Sequence, residues 1–173
     1  WHYDGLSVLK LETGKQNMKN EEYIEYEKQF LARDYNPIPV VLGKGKGIWV
    51  WDIEGNKYLD FLSAYSTVSA GHCNDRIIGA LTRQLENIDI PSRAFYSNTL
   101  GPYAEALCDL TGLDKLIPMN TGAEAVETAI KAARRWGYEV KGIPDNKARI
   151  IVSANNFHGR TTTIVSFSSN EKY

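Results

Sequence analysis

Leu116-Ile117-Pro118-Met119-Asn120-Thr121-Gly122-Ala123-Glu124-Ala125-Val126-Glu127-Thr128-Ala129-Ile130 is the stretch from which the fold is read. A short apolar run, Leu116 to Met119, is broken by Asn120-Thr121-Gly122, and a helix is expected from Ala123 to Trp136. Val126, Ile130 and Ala133 recur at helical spacing, flanked by Ala129 and Trp136, so one face is apolar. Glu127 and Lys131 stand four residues apart on the wet side, the spacing of an ion pair. Gly137 and then Gly142-Ile143-Pro144 are expected to end the helix. Arg149-Ile150-Ile151-Val152-Ser153 is β-branched and reads as a strand, followed by the loop Asn155-Asn156-Phe157-His158-Gly159-Arg160-Thr161. Strand, helix and strand at this spacing make a βαβ unit, which predicts an α/β protein with a parallel sheet.

Ligands of an open parallel sheet gather beyond the carboxyl ends of its strands. Two such ends fall here, at Asn120-Thr121-Gly122-Ala123 and at Phe157-His158-Gly159-Arg160. The first offers free backbone N–H groups and the positive end of a helix dipole, with Gly122 open to close approach and a hydroxyl on Thr121, all suited to a phosphate. Thr121-x-x-Glu124 also matches a capping box, which needs no ligand. At the second end Phe157 can cover the flat face of a ring, and Arg160 can grip a carboxylate at two points. A core phenylalanine and a surface arginine are the plain alternatives. His72 beside Cys73, and His158, are weaker candidates for a metal or for acid–base work.

Outward from this region the chain reads as follows. Residues 1–19 are polar and irregular, a tail or docking arm. Asn20 is placed to cap a helix to about Arg33, with Tyr23, Tyr26, Glu27 and Phe30 at helical spacing. Pro37 and Pro39 force an extended segment. Gly43-Lys44-Gly45-Lys46-Gly47 looks like a phosphate loop, but it precedes a strand and opens no helix, so it is expected to be a turn. Ile48–Asp52 and Lys57–Phe61 then form a hairpin across Glu54-Gly55-Asn56. Residues 62–75 are a loop of small residues. Helices are expected over Arg76–Glu86, with Ile77, Ile78, Leu81 and Leu85 on one side, and over residues 101–111.

Length and charge set limits. The 173 residues suit about one domain at roughly 150 residues each. Twenty basic against 21 acidic residues give a net charge of −1, without the basic surplus of a nucleic-acid binder or any pull toward an anionic membrane. No apolar run approaches the ~20 residues of a bilayer crossing. The two cysteines, Cys73 and Cys108, form no metal or disulfide pattern, which points to a reducing compartment. The N-terminal residues lack the layout of a secretory signal or an organelle presequence. Glu171-Lys172-Tyr173 does not read as a natural domain end.

Asn120-Thr121-Gly122-Ala123-Glu124-Ala125-Val126-Glu127-Thr128-Ala129 resembles the phosphate-cup segment of class III aminotransferases, pyridoxal-phosphate enzymes of fold type I. Companion stretches occur in the family's order: Tyr35-Asn36-Pro37-Ile38-Pro39-Val40, Gly45–Asp52, Asp60-Phe61-Leu62-Ser63-Ala64-Tyr65-Ser66, Ser92–Tyr96 and Arg134–Tyr138. They are most similar to the branch that transfers the δ-amino group of ornithine to 2-oxoglutarate. The resemblance implies that Thr121, Gly122 and Ala123 hold the phosphate of pyridoxal 5'-phosphate and that Phe157 stacks on its ring. It implies that Arg160 binds a substrate carboxylate, and that Tyr35 and Tyr65 shape the ornithine pocket. It further implies a homodimer with the site at the interface, in the cytoplasm or the mitochondrial matrix. Residues 1–61 would form the N-terminal arm, helix and hairpin of the small domain, and residues 62–173 the first part of the large cofactor-binding domain.

The sequence departs from the ornithine pattern at Ser69-Ala70, at Asn74-Asp75 and in the wording Phe157-His158-Gly159-Arg160-Thr161, which is more usual in acetylornithine and related branches. An acetylornithine or 4-aminobutyrate type enzyme is the alternative, and a non-catalytic module binding a phosphorylated ligand is another. The family's Schiff-base lysine is expected beyond residue 173. Lys44, Lys46, Lys131, Lys141 and Lys147 stand in turns, loops and a helix face, so no catalytic residue is expected in this chain and the segment alone is expected to be inactive.

Overall fold

The computed structural model describes residues 18–170. The expected N-terminal arm falls outside them except for its last two positions, as does the end of the chain from residue 171. The chain divides into two compact units, one up to Ser92 and one from Arg93 onward.

In the first unit, helix α1 spans Asn20–Phe30. Its N-cap is Lys19, not the expected Asn20: Lys19 is extended, and its N–H donates to Glu22 Oε2 at 2.7 Å. Asn20 is instead the first helical residue, and its side-chain oxygen accepts from Val41 N at 3.1 Å, tying the helix to the start of the sheet. The sheet is an antiparallel meander of β1 (Leu42–Lys46), β2 (Trp49–Asp52) and β3 (Lys57–Leu59). The Gly-Lys run expected as a turn is thus itself a strand, with Gly45 paired to Val50 and Lys46 to Trp49. A Cβ on Gly45 would lie 2.8 Å from the His72 side chain, so glycine here serves a close crossing.

The β2–β3 hairpin forms where the alternation placed it. Trp49, Trp51 and Lys57 share a face, and the Lys57 ammonium sits 3.9 Å from the Trp49 ring centre. The connecting turn is organised by Asp52, which is 5% exposed. Its carboxylate accepts from Glu54 N at 3.0 Å, Asn56 N at 2.8 Å, Asn56 Nδ2 at 2.9 Å and Tyr58 Oη at 2.8 Å. Burial alone would push this carboxyl up. The hydrogen bonds from Asn56, Tyr58 and Glu54 outweigh burial and hold it below the usual carboxylate range.

The loop after β3 contains a short helical segment, α2 (Ser63–Ser66), wound left-handed: φ is 48°, 47°, 55° and 68° along its four residues. Left-handed winding costs L-residues roughly 1–2 kcal/mol each, so this turn needs outside support. Helix α3 (Asp75–Leu85) begins where Asn74 Oδ1 accepts from Arg76 N at 3.0 Å and Ile77 N at 3.4 Å. Its apolar side, Ile77, Ile78, Leu81 and Leu85, is the expected one and is exposed.

The second unit holds α4 (Leu100–Thr111), α5 (Gly122–Glu139) and α6 (Thr162–Val165). Gly112 closes α4 in the left-handed conformation that glycine permits. Helix α5 runs past Gly137, which was expected to end it. A Cβ there would come 3.3 Å from Ile143 Cδ1, and Ile143 N donates to Gly137 O at 2.9 Å. The glycine therefore sits inside the helix to let the following chain fold back over it. Ile130 and Ile164 are buried in this unit, and Val50 in the first.

The two strands of the expected βαβ unit do not pair: among the described residues, no strand forms at 115–119 or 149–153, and the one sheet is antiparallel. Ile117 and Ile151 are 70% and 97% exposed. A parallel strand is stabilised by ladders on its edges and cover on its faces, and neither segment has a ladder partner among the described residues.

Because the folded-state pKa of Asp52 lies below its ordinary value of 3.8, its stabilisation is complete above that value and is lost as pH falls through the depressed one. Asp52→Asn is therefore expected to lower the denaturation midpoint at neutral pH and to flatten its fall below about pH 4. Denaturant titrations at pH 7 and pH 3 check this, and parallel curves for the two proteins would count against the assignment.

Candidate functional site

Helix α5 starts with the full capping box. Thr121 Oγ1 accepts from Glu124 N at 3.1 Å, and Thr121 N donates to Glu124 Oε2 at 3.0 Å. Ala125 N donates to Thr121 O at 3.0 Å. Four first-turn donors compete for partners, and these contacts leave two, the amides of Gly122 and Ala123, without an acceptor among the described residues. They belong to two of the residues for which the family resemblance implies a phosphate contact. The Thr121 hydroxyl is an acceptor in the cap and still has its proton to donate. Nothing lies within 4 Å of where a Cβ on Gly122 would stand, so the backbone there can be closely approached on that side. Cap and anion seat, set as rivals by the sequence, are compatible in one helix start.

The loop carrying Phe157 and Arg160 lies on that helix start. A Cβ on Gly159, at φ +124°, would stand 3.0 Å from Ala123 Cβ and 2.8 Å from Ile164 Cδ1. Only glycine fits a backbone so placed and so shaped. Asn155 and Asn156 brace the loop from behind. Asn155 N donates to Ser169 Oγ at 2.8 Å, and Asn156 Nδ2 donates to Phe167 O at 2.9 Å and Ser153 O at 2.5 Å. Phe157 is 64% exposed, and the Arg160 guanidinium lies 5.8 Å from its ring centre. A ring surface and a cation are thus presented together beside two free amides.

Glu127 does not pair with Lys131 as its spacing suggested. It turns toward α6, where the Thr161 hydroxyl donates to its Oε1. That bond, with further ones from Thr163 and the Ile164 amide, outweighs the opposing effect of burial and holds the Glu127 carboxyl below its ordinary value. The carboxylate in effect caps α6 and fixes the loop from its far end.

In the first unit the structure brings Tyr35 and Tyr65 together by a direct bond between their hydroxyls. The hydrogen bond with the Tyr35 hydroxyl, the electrostatic influence of that neighbour and some burial raise the Tyr65 phenol above the usual tyrosine range. His72 Nε2 lies 2.6 Å from Asp60 Oδ2. His158 packs edge-on to Phe167 with ring centres 6.5 Å apart. Among the described residues no group of three or more His, Cys, Asp and Glu could hold a metal. Cys73 and Cys108 are free thiols. Lys46 Nζ is engaged by Asp75 at 2.5 Å and by Cys73 O at 3.0 Å. The sequence reading gave Glu127 another partner and gave Gly159 and Asp60 no role. Gly159 left a local trace, as a glycine between the two candidate side chains.

An α/β chain with a capped helix start, open amides and an aromatic–arginine loop folded onto it matches the family model described as Aminotransferase class-III over residues 30–173. The chain belongs to the class-III aminotransferases, and its architecture is that of fold type I. Within the class it is 57% identical over 150 residues to an ornithine aminotransferase of Halalkalibacterium halodurans, covering 87% of this chain and 38% of that protein. It is also 57% identical over 155 residues to one from Geobacillus sp., covering 90% and 39%. The chain thus spans somewhat over a third of the length of these relatives. Among solved structures it is similar to the ornithine aminotransferase of Toxoplasma gondii, crystallised with PLP at partial occupancy, with a TM-score of 0.90 and 41% identity over 99% of this chain and 40% of that one. An acetylornithine aminotransferase from Elizabethkingia anophelis gives 0.77 and 55% identity over 88% of this chain and 38% of that one.

Gly159→Ala is expected to lift the loop off α5 and to cost about 1–3 kcal/mol through φ strain and the clash with Ala123. A denaturant midpoint unchanged from the parent protein would refute the packing described.

Proposed function

We propose that this segment is part of an enzyme that transfers the δ-amino group of L-ornithine to 2-oxoglutarate, giving glutamate 5-semialdehyde and glutamate. The observation that carries the reading is the pair of free amides at Gly122 and Ala123 under a loop presenting Phe157 and Arg160. Identity to curated ornithine aminotransferases supports the choice of substrate. Pyridoxal 5'-phosphate, when bound, supplies the electron sink for amino-group transfer.

The chain's own residues would hold and orient. The Gly122 and Ala123 amides and the Thr121 hydroxyl donate to the phosphate at the positive end of α5, where the helix dipole favours its charge. Phe157 covers one face of the ring and excludes water from it. Arg160 takes a carboxylate of the amino donor in one half-reaction and of the 2-oxo acid in the other. Tyr35 and Tyr65 form one wall of the ornithine pocket, their linked hydroxyls offering one remaining proton and free lone pairs to the substrate's polar end. The assembly is a homodimer with its site at the interface, located in the cytoplasm or the mitochondrial matrix. Residues 1–61 belong to its small domain and 62–173 to its large one. Among the described residues no helix is long and apolar enough to cross a membrane.

Similarity to the acetylornithine enzyme and the wording Phe157-His158-Gly159-Arg160-Thr161 favour N-acetylornithine as the second reading. Steady-state rates with each donor decide between them, since a blocked α-amine at equal efficiency would set the ornithine reading aside.

In the complete enzyme, Gly122→Val adds a branched side chain at the residue that bears one of the free amides and next to the other. It is expected to weaken binding of the cofactor at least about tenfold, the loss of roughly one charge-assisted hydrogen bond, with the melting temperature of the cofactor-free protein unchanged. Titration of that protein with pyridoxal phosphate measures it, and unaltered affinity would remove the amides from the site. Arg160→Ala is expected to raise KM for both ornithine and 2-oxoglutarate by about 10–100-fold. A rise confined to one substrate would assign Arg160 to one half-reaction only.

A further inference from the structure

The left-handed turn that carries Tyr65 is held by a relay that runs back into the sheet. Asp60 Oδ1 accepts from Leu62 N at 2.9 Å and Ser63 N at 2.8 Å, the two amides at the entry to the turn. Its other oxygen, Oδ2, takes His72 Nε2 at 2.6 Å. Hydrogen bonds from Ser63 and His72 hold the Asp60 carboxyl below its ordinary value, so it is ionised at neutral pH and the imidazole N–H is the donor. The two side chains are 14% and 26% exposed.

His72 is itself fixed from two directions. Its backbone pairs with Gly47 in both senses, each bond at 2.8 Å. Its side chain crosses Gly45, where any Cβ would collide with it. Gly71, at φ +84°, brings the chain close enough for this, with Gly47 Cα 3.1 Å from where its own Cβ would be. Asp60 is anchored as well, through its N–H to Ile48 O at 2.9 Å. The meander therefore positions His72 and Asp60, and Asp60 positions the turn whose Tyr65 hydroxyl meets Tyr35.

We propose that Asp60 and His72 are positioning residues for the amino donor, holding the Ser63–Ser66 turn in its left-handed form so that Tyr65 meets Tyr35 in the ornithine pocket. The proposal rests on the reading of Tyr35 and Tyr65 given above. Four L-residues in sequence at positive φ do not keep that shape unaided. The carboxylate satisfies the two amides that such a turn leaves without helical partners. The imidazole N–H donates to the other carboxylate oxygen and so restrains the rotation of that group. Both residues act at a distance from the reacting atoms, so they should affect one substrate's fit and leave the transfer step alone.

The test uses the complete holoenzyme with ornithine and 2-oxoglutarate. His72→Ala is expected to raise KM for ornithine about tenfold, the equivalent of one lost hydrogen bond, with kcat and KM for 2-oxoglutarate within about twofold of the parent. His72→Gln, which restores an N–H near the place of Nε2, is expected to recover most of the loss. Asp60→Asn, of nearly equal shape, should move ornithine KM in the same direction and serves if His72→Ala does not accumulate. Tyr65→Phe is run beside them. If Tyr65→Phe raises ornithine KM and neither His72→Ala nor Asp60→Asn does, the positioning role is overturned and the pocket assignment stands. Equal rises in both KM values, or failure of His72→Gln to recover, also overturn it by showing general disruption. Unchanged ornithine KM in Tyr65→Phe overturns it at its base, by failing the pocket assignment itself.

Discussion

The second unit depends on how the first turn of α5 is satisfied. A helix start exposes more amide donors than its own turns can use. Here Thr121 and Glu124 answer each other and close part of the set, while Gly122 and Ala123 keep theirs. The pattern has a physical logic. Glu124 brings a negative charge to the positive end of the dipole, which stabilises the helix by itself. Because that carboxylate is drawn to the Thr121 amide, it does not fill the space in front of the next two. The helix is therefore stable without a ligand and still able to receive an anion.

The Gly159 loop and α6 are arranged around the same helix. Gly159 rests on Ala123, and Glu127, one helical turn further on, gathers Thr161 and the start of α6. Arg160 lies between these two contacts with α5, and Phe157 stands just before the first of them, in a stretch that Asn155 and Asn156 tie back to Ser169 and Phe167. A loop fixed only by its own turns would leave an aromatic ring and a guanidinium free to wander over many rotamers. Fixing it to the helix ties their positions to the amides at the helix start.

How much of this the sequence disclosed follows from the range of each interaction. The capping box has a span of three residues, and Thr121-x-x-Glu124 announced it. The hairpin across Glu54-Gly55-Asn56 is local too, and alternation with turn chemistry located it. The Glu127–Thr161 bond joins residues 34 apart, and no periodicity reports such a bond; the helical spacing of Glu127 and Lys131 pointed to the wrong partner. Gly137 misled for a related reason. Its lack of a side chain reads as a stop signal along the chain, but here it answers to Ile143 folding back over the helix. The Gly43–Gly47 run was expected to be a turn and instead contributes to strand β1, since Gly45 is shaped by His72, which is 27 residues away. The pairing of Asp60 with His72 was hidden in the same way, and His72 drew attention only as a stray ligand.

The expected parallel strands make a different point. Their sequences are those of buried strands, with Ile150, Ile151 and Val152 in a row, yet they form no ladder and Ile151 stands almost fully exposed. β-branched composition expresses fitness for a pleated, covered surface; it does not supply that surface. The antiparallel meander forms because each of its strands finds a neighbour across a short turn, whereas parallel strands need a crossover and cover on both faces. The α5 capping box and the hairpin thus form within this segment, whereas no parallel sheet carries the site's two loops among the described residues. The chemistry already legible in the chain is accordingly the part that depends on local backbone geometry: amides at a helix start, a glycine that seats a loop, and a strained turn held by one carboxylate.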